Sequence, residues 1–148
     1  MKLGVLVEAG EETRVAIVPN SVPKLMKLGF EVLVESGAGV SAHHLDAEYE
    51  ARGASIVGRD DAMACEMLIC IGAPDFSALS EGQMVACVSD PFRHPERVKQ
   101  AMDAKVTLMS MDMIPRRLSR AQAMDVNSSQ DNLAGYKAVL MGAAQVPK

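Results

Sequence analysis

The sequence contains no tryptophan, and its aromatic residues are limited to three phenylalanines and two tyrosines. Hydrophobic residues nevertheless make up 49% of the 148 positions, which supplies enough apolar surface for a real core. A chain of this length can bury such a core without cross-links. We therefore expect a core built from valine, leucine, isoleucine, alanine and methionine.

Long apolar runs, basic runs and metal-ligand spacings are missing as well. No apolar stretch reaches the roughly 20 residues of a membrane span, and the N-terminus does not resemble a signal peptide. The net charge of −4 argues against nucleic acid as a partner, because nucleic acid requires a positive surface. Cys65, Cys70 and Cys87 have apolar neighbours and no zinc-type spacing, so we expect reduced, buried thiols and no metal site. These absences predict a cytoplasmic protein.

Short β-rich runs alternate with helical patterns along the chain. Strands are predicted at Lys2–Glu8, Phe30–Glu35, Ala54–Val57, Met67–Ile71, Gln83–Val88 and Val106–Met111. Helices are predicted from Asn20 or Ser21 to Leu28, around Leu45–Arg52, from Asp60 or Asp61 to Cys65, near Phe76–Leu79, from Pro95 to Ala104, and over Ser128–Gln145. Strands separated by helices indicate βαβ units and a parallel sheet covered on both faces. The predicted fold class is α/β: a doubly wound, mostly parallel, flavodoxin- or Rossmann-like sheet of five or six strands in three layers.

A glycine-rich stretch, Gly37–Ala42, fits the pattern G-x-G-x-x-A, and Asp60 follows about twenty residues later, as in a dinucleotide-binding fingerprint. In such a fingerprint the glycines let a pyrophosphate approach a helix N-terminus. Here the next residues, His43-His44-Leu45-Asp46, are not the small apolar start of a packing helix. We therefore favour a simple glycine turn over a nucleotide site.

A long polar motif occupies the end of the chain. It begins Pro115-Arg116-Arg117-Leu118-Ser119-Arg120-Ala121-Gln122, continues through Asp125, and ends Ser128-Ser129-Gln130-Asp131-Asn132-Leu133-Ala134-Gly135-Tyr136-Lys137-Ala138. Earlier motifs are Glu12-Thr13-Arg14-Val15-Ala16 with Pro19, Leu28-Gly29-Phe30-Glu31-Val32, and Val34-Glu35-Ser36-Gly37-Ala38-Gly39. Together these motifs resemble the N-terminal domain of the nicotinamide nucleotide transhydrogenase α subunit over the whole chain. The same domain type occurs in alanine dehydrogenase.

The resemblance implies a single domain over residues 1–148, followed by a Rossmann domain that carries the true fingerprint, with NAD(H) bound between the two. It places Arg117 at the nicotinamide end of NAD(H). Asp125 and Ser128 would lie near the ring and carboxamide, and Gln122 would face the partner subunit that brings NADP(H). Gln122 and Asp125 are thus the predicted catalytic residues. Because hydride passes between two nicotinamides, the protein would contribute positioning and electrostatics.

The same resemblance implies a homodimer of α subunits attached to membrane and NADP(H)-binding subunits. Two positions depart from the family. This chain has Arg116 and Arg117 where the family has one arginine, so either can be the functional one. The catalytic lysine and histidine of alanine dehydrogenase would fall at Gly72 and near Asp90, and neither group is present. A glycine cannot bind a keto oxygen, and an aspartate repels a carboxylate, so amino-acid dehydrogenase activity is disfavoured.

A third interpretation needs no catalysis. Arg117 can be an ordinary surface charge, and Asp125 and Ser128 can be helix caps. The chain would then be a non-catalytic binding or dimerisation domain.

Overall fold

The computed structural model describes residues 1–115 and 117–146. Its strands are β1 (Lys2–Val5), β2 (Glu31–Glu35), β3 (Ser55–Val57), β4 (Met67–Gly72), β5 (Met84–Val88) and β6 (Thr107–Ser110). Its α-helices are α1 (Val22–Lys27), α2 (Asp46–Glu50), α3 (Arg59–Met63), α4 (Pro95–Asp103) and α5 (Val126–Gln145). Short 3-10 helices cover Pro19–Ser21, Val40–Ala42, Phe76–Ala78, Met111–Met113 and Gln122–Met124. Within these ranges, no helix combines the length and the apolarity that crossing a membrane requires.

The six strands form one sheet in the order β3-β2-β1-β4-β5-β6, and all five pairings are parallel. The chain builds outward from β1 to β3, returns to place β4 beside β1, and then builds outward to β6. This strand order confirms the prediction of a doubly wound α/β sheet. It also makes the β1–β4 boundary the point at which the winding direction changes.

Two apolar clusters lie on opposite faces of the sheet. One joins β4 and β5 to α3, the 3-10 helix Phe76–Ala78 and α4, and the other joins β1 and β2 to α1 and α2. Tyr49 and Phe76 are fully buried in these clusters, which otherwise consist of aliphatic residues, alanine and cysteine. The prediction of reduced, buried thiols is confirmed for all three cysteines. Burial raises the pKa of Cys70 to about 12, so this thiol is a core residue rather than a nucleophile.

The predicted helix starts need two corrections. We predicted Asp60 or Asp61 as the cap of α3, but the helix begins at Arg59 and Gly58 is its N-cap. The extended backbone of Gly58 starts the helix early, and both aspartates therefore lie in its first turn. At α1 the N-cap is Ser21, but its side chain makes no capping hydrogen bond.

The glycine-rich stretch is a turn, as favoured from the sequence. Gly37 has a positive φ of 82°, and its N–H donates to the Asp46 carboxylate at 2.9 Å. A Cβ at Gly39 would lie 2.7 Å from the ring of Tyr49, so this glycine makes room for a core side chain. Only a single 3-10 turn follows at Val40–Ala42, so the stretch does not open an α-helix that could receive a pyrophosphate.

The chain groups into two compact units, the first being Met1–Ser110 and the second beginning at Met111. The first unit contains the whole sheet and α1–α4. The second contains the two 3-10 helices Met111–Met113 and Gln122–Met124, together with α5. That residues 1–148 act as one domain stays a prediction.

Candidate functional site

All four predicted site residues lie in the second unit, in the turns that lead into α5. Arg117 lies in an exposed turn, Gln122 begins the 3-10 helix Gln122–Met124, and Ser128 is in the first turn of α5. The side chains of all three residues are exposed. Arg116 lies outside the described residues, so the choice between the two arginines remains open.

Asp125 is the N-cap of α5 and is the best anchored of the predicted residues. Its Oδ1 accepts hydrogen bonds from the backbone N–H groups of Asn127 and Ser128, both at 3.0 Å. Its Oδ2 accepts the hydroxyl of Ser128. The interpretation of Asp125 as a helix cap is therefore confirmed, whereas that of Ser128 as a cap is wrong because its hydroxyl donates to the cap. The carboxylate is half-buried and held in one orientation.

The turns before α5 are connected by backbone hydrogen bonds. The Gln122 N–H donates to the Leu118 carbonyl at 3.2 Å, and the Asp125 N–H donates to the Gln122 carbonyl at 3.4 Å. The Asn127 side-chain amide donates to the Asp112 carbonyl at 3.3 Å, which connects the start of α5 to the 3-10 helix Met111–Met113. The structure thus brings Gln122, Asp125 and Ser128 into one continuous turn, in which the Gln122 amide remains exposed.

A second candidate site lies in the first unit, where β1 and β4 separate. A cavity of about 220 Å³ opens beside the carboxyl ends of these strands, which is the usual ligand position in a doubly wound sheet. Its polar and charged lining consists of Glu8, Glu12, Arg59, Cys70 and Arg97, and Gly72 also contributes. Sequence analysis singled out Glu12, Cys70 and Gly72 among these residues, but it assigned none of them to a cavity. The sequence did contain a signal for this site, since Glu8 ends one predicted strand and Arg59 follows closely on another.

The charged groups around this cavity are satisfied by the protein itself. The Glu8 carboxylate accepts the N–H groups of Ile71 at 2.5 Å and Gly72 at 3.0 Å. The Arg59 guanidinium donates to Glu35 at 3.0 Å, and that of Arg97 donates to a backbone carbonyl at the end of β5 at 2.9 Å. The backbone N–H groups that suit an anionic ligand are thus already occupied by a carboxylate.

Glu12 and Arg14 form a two-pronged ion pair beside the cavity. The Nε and Nη2 atoms of Arg14 donate to the two Glu12 oxygens at 2.9 and 2.6 Å. The hydrogen bonds from the Arg14 side chain are the main reason that the pKa of Glu12 falls to about 2. An anion approaching Arg14 would therefore compete with a carboxylate that is charged at neutral pH.

Gly72 and Asp90 occupy the ends of neighbouring strands in this region. A Cβ at Gly72 would meet only the Glu8 carboxylate, at 3.8 Å, so the space does not require a glycine. Asp90 follows β5 with a positive φ of 45°, a conformation that is strained for an aspartate. Neither residue supplies the amine or imidazole that a keto-acid reaction at this edge needs.

Comparison with known proteins gives a consistent result. Residues 4–134 match the family model described as alanine dehydrogenase/PNT, N-terminal domain. The chain is 39% identical over 143 residues to the first part of NAD(P) transhydrogenase subunit alpha from Rhodospirillum rubrum, covering 89% of this chain and 37% of that protein. The crystal structure of transhydrogenase from Sinorhizobium meliloti superposes with a TM-score of 0.93 at 36% identity, covering 100% of this chain and 46% of that one. A structure of L-alanine dehydrogenase gives a TM-score of 0.75 at 26% identity over 82% of this chain and 34% of that chain. The chain thus spans less than half the length of these relatives.

Proposed function

Because this chain belongs to the alanine dehydrogenase/PNT N-terminal domain family, we propose that it is the N-terminal domain of an NAD(P) transhydrogenase α subunit. In this role it contributes to the NAD(H) site for hydride transfer between NAD(H) and NADP(H), coupled to proton translocation. The observation that carries the proposal is the turn at Gln122–Ser128, in which a carboxylate is fixed by the helix cap beside an exposed amide.

The chemistry of this turn suits a nicotinamide. A carboxamide needs one acceptor and one donor, and the Asp125 carboxylate and the Gln122 amide supply both kinds of group. Arg117 offers a cation for the nicotinamide end of the dinucleotide, and the Ser128 hydroxyl remains beside Asp125. Gln122 is then the residue that meets the NADP(H)-binding subunit. The protein's role in the reaction is to hold the two nicotinamide rings in the position and orientation that let hydride move directly between them.

The remaining components of the site are supplied by other chain segments. We propose a following Rossmann domain that holds the pyrophosphate of NAD(H), a homodimer of α subunits, and membrane and NADP(H)-binding subunits at the cytoplasmic face of the membrane. The length comparison supports this view, because the Rhodospirillum rubrum relative is much longer than this chain.

Alanine dehydrogenase is the weaker candidate. It is favoured by the shared family and by the shared fold, at 26% identity to the solved structure, and the cavity at the β1–β4 boundary opposes it. There Arg14 is held by Glu12, Glu8 occupies the exposed backbone N–H groups, and Gly72 supplies no amine.

The test uses the α-subunit polypeptide extended through the following domain, assayed for hydride transfer from NADPH to an NAD analogue. Asp125→Asn is the informative change, because asparagine caps a helix about as well as aspartate but carries no charge. We expect Asp125→Asn and Gln122→Ala each to lower kcat by roughly 10- to 100-fold, because the reacting rings lose their alignment.

Gln145→Ala is the matched control, since Gln145 is an exposed glutamine at the other end of α5. Thermal unfolding of the variants should match that of the parent protein. Unchanged kcat in both site variants would show that the site residues are wrongly assigned.

A further inference from the structure

A side-chain hydrogen bond joins the two ends of the segment that contains most of the predicted site residues. The Asn127 side-chain amide donates to the main-chain carbonyl of Asp112 at 3.3 Å, across 15 positions of sequence. We call the intervening residues, 113–126, the site loop. Three of the four predicted site residues lie in it: Arg117, Gln122 and Asp125. The hydrogen bond therefore closes the site loop at its base.

The backbone hydrogen bonds within the site loop act over a much shorter range. The N–H group of Gln122 donates to the Leu118 carbonyl, and that of Asp125 donates to the Gln122 carbonyl. Bonds of this kind fix the local turns, but they leave the two ends of the loop free to separate. A contact between the ends restricts every residue between them. The hydrogen bond from Asn127 to Asp112 thus limits how far the loop as a whole can shift.

Asn127 also contacts the Asp125 carboxylate, through a different group. Its backbone N–H donates to Oδ1 of Asp125 at 3.0 Å. The same half-buried residue therefore holds the carboxylate with its main chain and the base of the site loop with its side chain. The side-chain role requires an N–H donor, which neither a carboxylate nor an apolar side chain offers to a carbonyl at neutral pH.

We propose that Asn127 is a positioning residue for hydride transfer, because it closes the site loop and so presents Gln122 and Asp125 to the nicotinamide in one geometry. The inference rests on the proposed function, in which these two residues contact the nucleotide. Asn127 touches no substrate in this role and acts only through the loop and the Asp125 carboxylate. A misplacement of about 1 Å costs on the order of 100-fold in rate, so a bond at the base of the loop is enough to matter.

A positioning role affects alignment more than affinity. In the proposed function the following Rossmann domain holds the pyrophosphate of NAD(H), so most of the binding contacts lie outside the site loop. A loosened loop then lowers the fraction of bound nucleotide that is aligned for transfer and leaves its dissociation constant nearly unchanged. A residue that served only to keep α5 folded would instead change the amount of active protein.

Single-turnover hydride transfer from NADPH to an NAD analogue in the assembled enzyme separates these cases. The rate constant reports the alignment of the rings, and the amplitude reports the amount of active protein. Asn127→Ala removes the amide but keeps the backbone N–H that holds Asp125. We expect its rate constant to fall roughly 5- to 20-fold, with the amplitude unchanged and the dissociation constant of the analogue within about twofold of the parent value. Asn127→Gln keeps a donor amide and should recover about half of the parent rate constant or more.

Ser129→Ala is the matched control, because Ser129 lies in the same turn of α5 and also donates a side-chain hydrogen bond to a carbonyl. Its hydroxyl donates to Val126 at 3.1 Å, within the helix, and does not span the site loop. The rate constant of this variant should therefore equal that of the parent. The proposal is overturned by equal losses in Asn127→Ala and Ser129→Ala, by an unchanged rate constant in Asn127→Ala, by a loss confined to the amplitude, or by an Asn127→Gln variant as slow as the alanine variant.

Trypsin cleavage tests the closed loop without nucleotide or hydride transfer. Arg117 and Arg120 lie in exposed turns of the site loop. In the full α-subunit polypeptide we expect Asn127→Ala to speed cleavage after these arginines at least about fivefold, and Ser129→Ala to change it less than about twofold. Faster cleavage in the Asn127 variant of a protein that transfers no hydride would refute the proposed function and leave the closed loop in place. Unchanged cleavage in a protein with normal transfer would refute the closed loop alone.

Discussion

At the scale of single residues, carboxylates serve mainly to hold backbone at the ends of elements. Glu8 accepts two N–H groups from the end of β4, and Glu35 accepts the Val7 N–H at 2.7 Å together with the Arg59 guanidinium. The sequence identified Asp125 as a candidate cap because its partners are two and three residues away. It could not pair Glu8 with Gly72, since those residues meet only after the sheet has formed.

The Glu12–Arg14 pair leads to a prediction about acid stability. The folded pKa of Glu12, about 2, lies below its ordinary value of 4.5 because of the hydrogen bonds from Arg14. The pair therefore contributes its full stability above about pH 4.5 and loses it as the pH falls toward 2. The contribution is about 0–1 kcal/mol, because the side chains of Arg14 and Glu12 are 49% and 25% exposed and water screens the pair.

Urea unfolding of the parent and of Glu12→Gln at a series of pH values measures this effect. We expect the variant to be less stable at neutral pH and the difference to vanish near pH 2. Glu11→Gln controls for the loss of one negative charge. A difference that stays constant from neutral pH to pH 2 would show that the ion pair is not its source.

At the scale of elements, the locations of the helices and strands were easier to predict from the sequence than the residues at which they begin and end. All six strands lie within their predicted ranges or extend one residue past them, because β-rich runs and glycine turns are local signals. Helix α5 starts two residues before the predicted Ser128, because Asp125 rather than Ser128 caps it. The start of α3 was misplaced for the same kind of reason, since a glycine took the cap position.

Helix α5 also carries two glycines whose removal should strengthen it. Gly135 and Gly142 lie in the helix interior, and a Cβ at either position would meet no atom within 4 Å. Alanine loses less backbone freedom than glycine on entering a helix, so each Gly→Ala change should stabilise α5 by about 0.5–1 kcal/mol.

Amide hydrogen exchange of α5 in the 148-residue chain tests this expectation. Exchange should slow in Gly135→Ala and Gly142→Ala and accelerate in the reverse control Ala138→Gly. If the two alanine variants exchange as fast as the parent, the backbone freedom of glycine does not limit the stability of this helix.

At the scale of the whole molecule, the layers depend on a close approach between β1 and α3. A Cβ on Gly4 would lie 2.3 Å from the Ala62 carbonyl oxygen and 2.8 Å from Leu68. The backbone of α3 cannot move away without opening the cluster in which Ala62 and Leu68 are fully buried. Gly4→Ala should therefore destabilise the fold by about 1–3 kcal/mol or more.

Gly72→Ala is the control for this prediction. Gly72 ends β4 in the same sheet, but its nearest neighbour would be 3.8 Å from an added Cβ. The free energy of unfolding in urea should fall for Gly4→Ala and stay within about 0.5 kcal/mol of the parent for Gly72→Ala. Equal effects of the two substitutions would mean that β1 and α3 separate more easily than the packing indicates.

The doubly wound parallel sheet and the family were accessible from the sequence, whereas the strand order and the burial of each strand residue were not. Alternating strands and helices predict a three-layer arrangement, and this holds where α1 and α2 face α3 across β1 and β2. Strand β5 buries Val85, Ala86 and Cys87, whereas Met84 and Val88 at its two ends are half-buried.

The buried thiols have a consequence for how the folded protein responds to oxidants. Cys65, Cys70 and Cys87 are 7% exposed or less, and the thiolate rather than the thiol is the form that reacts. Oxidation of the folded protein should therefore begin at exposed methionines such as Met102 and leave the core thiols intact until the fold opens.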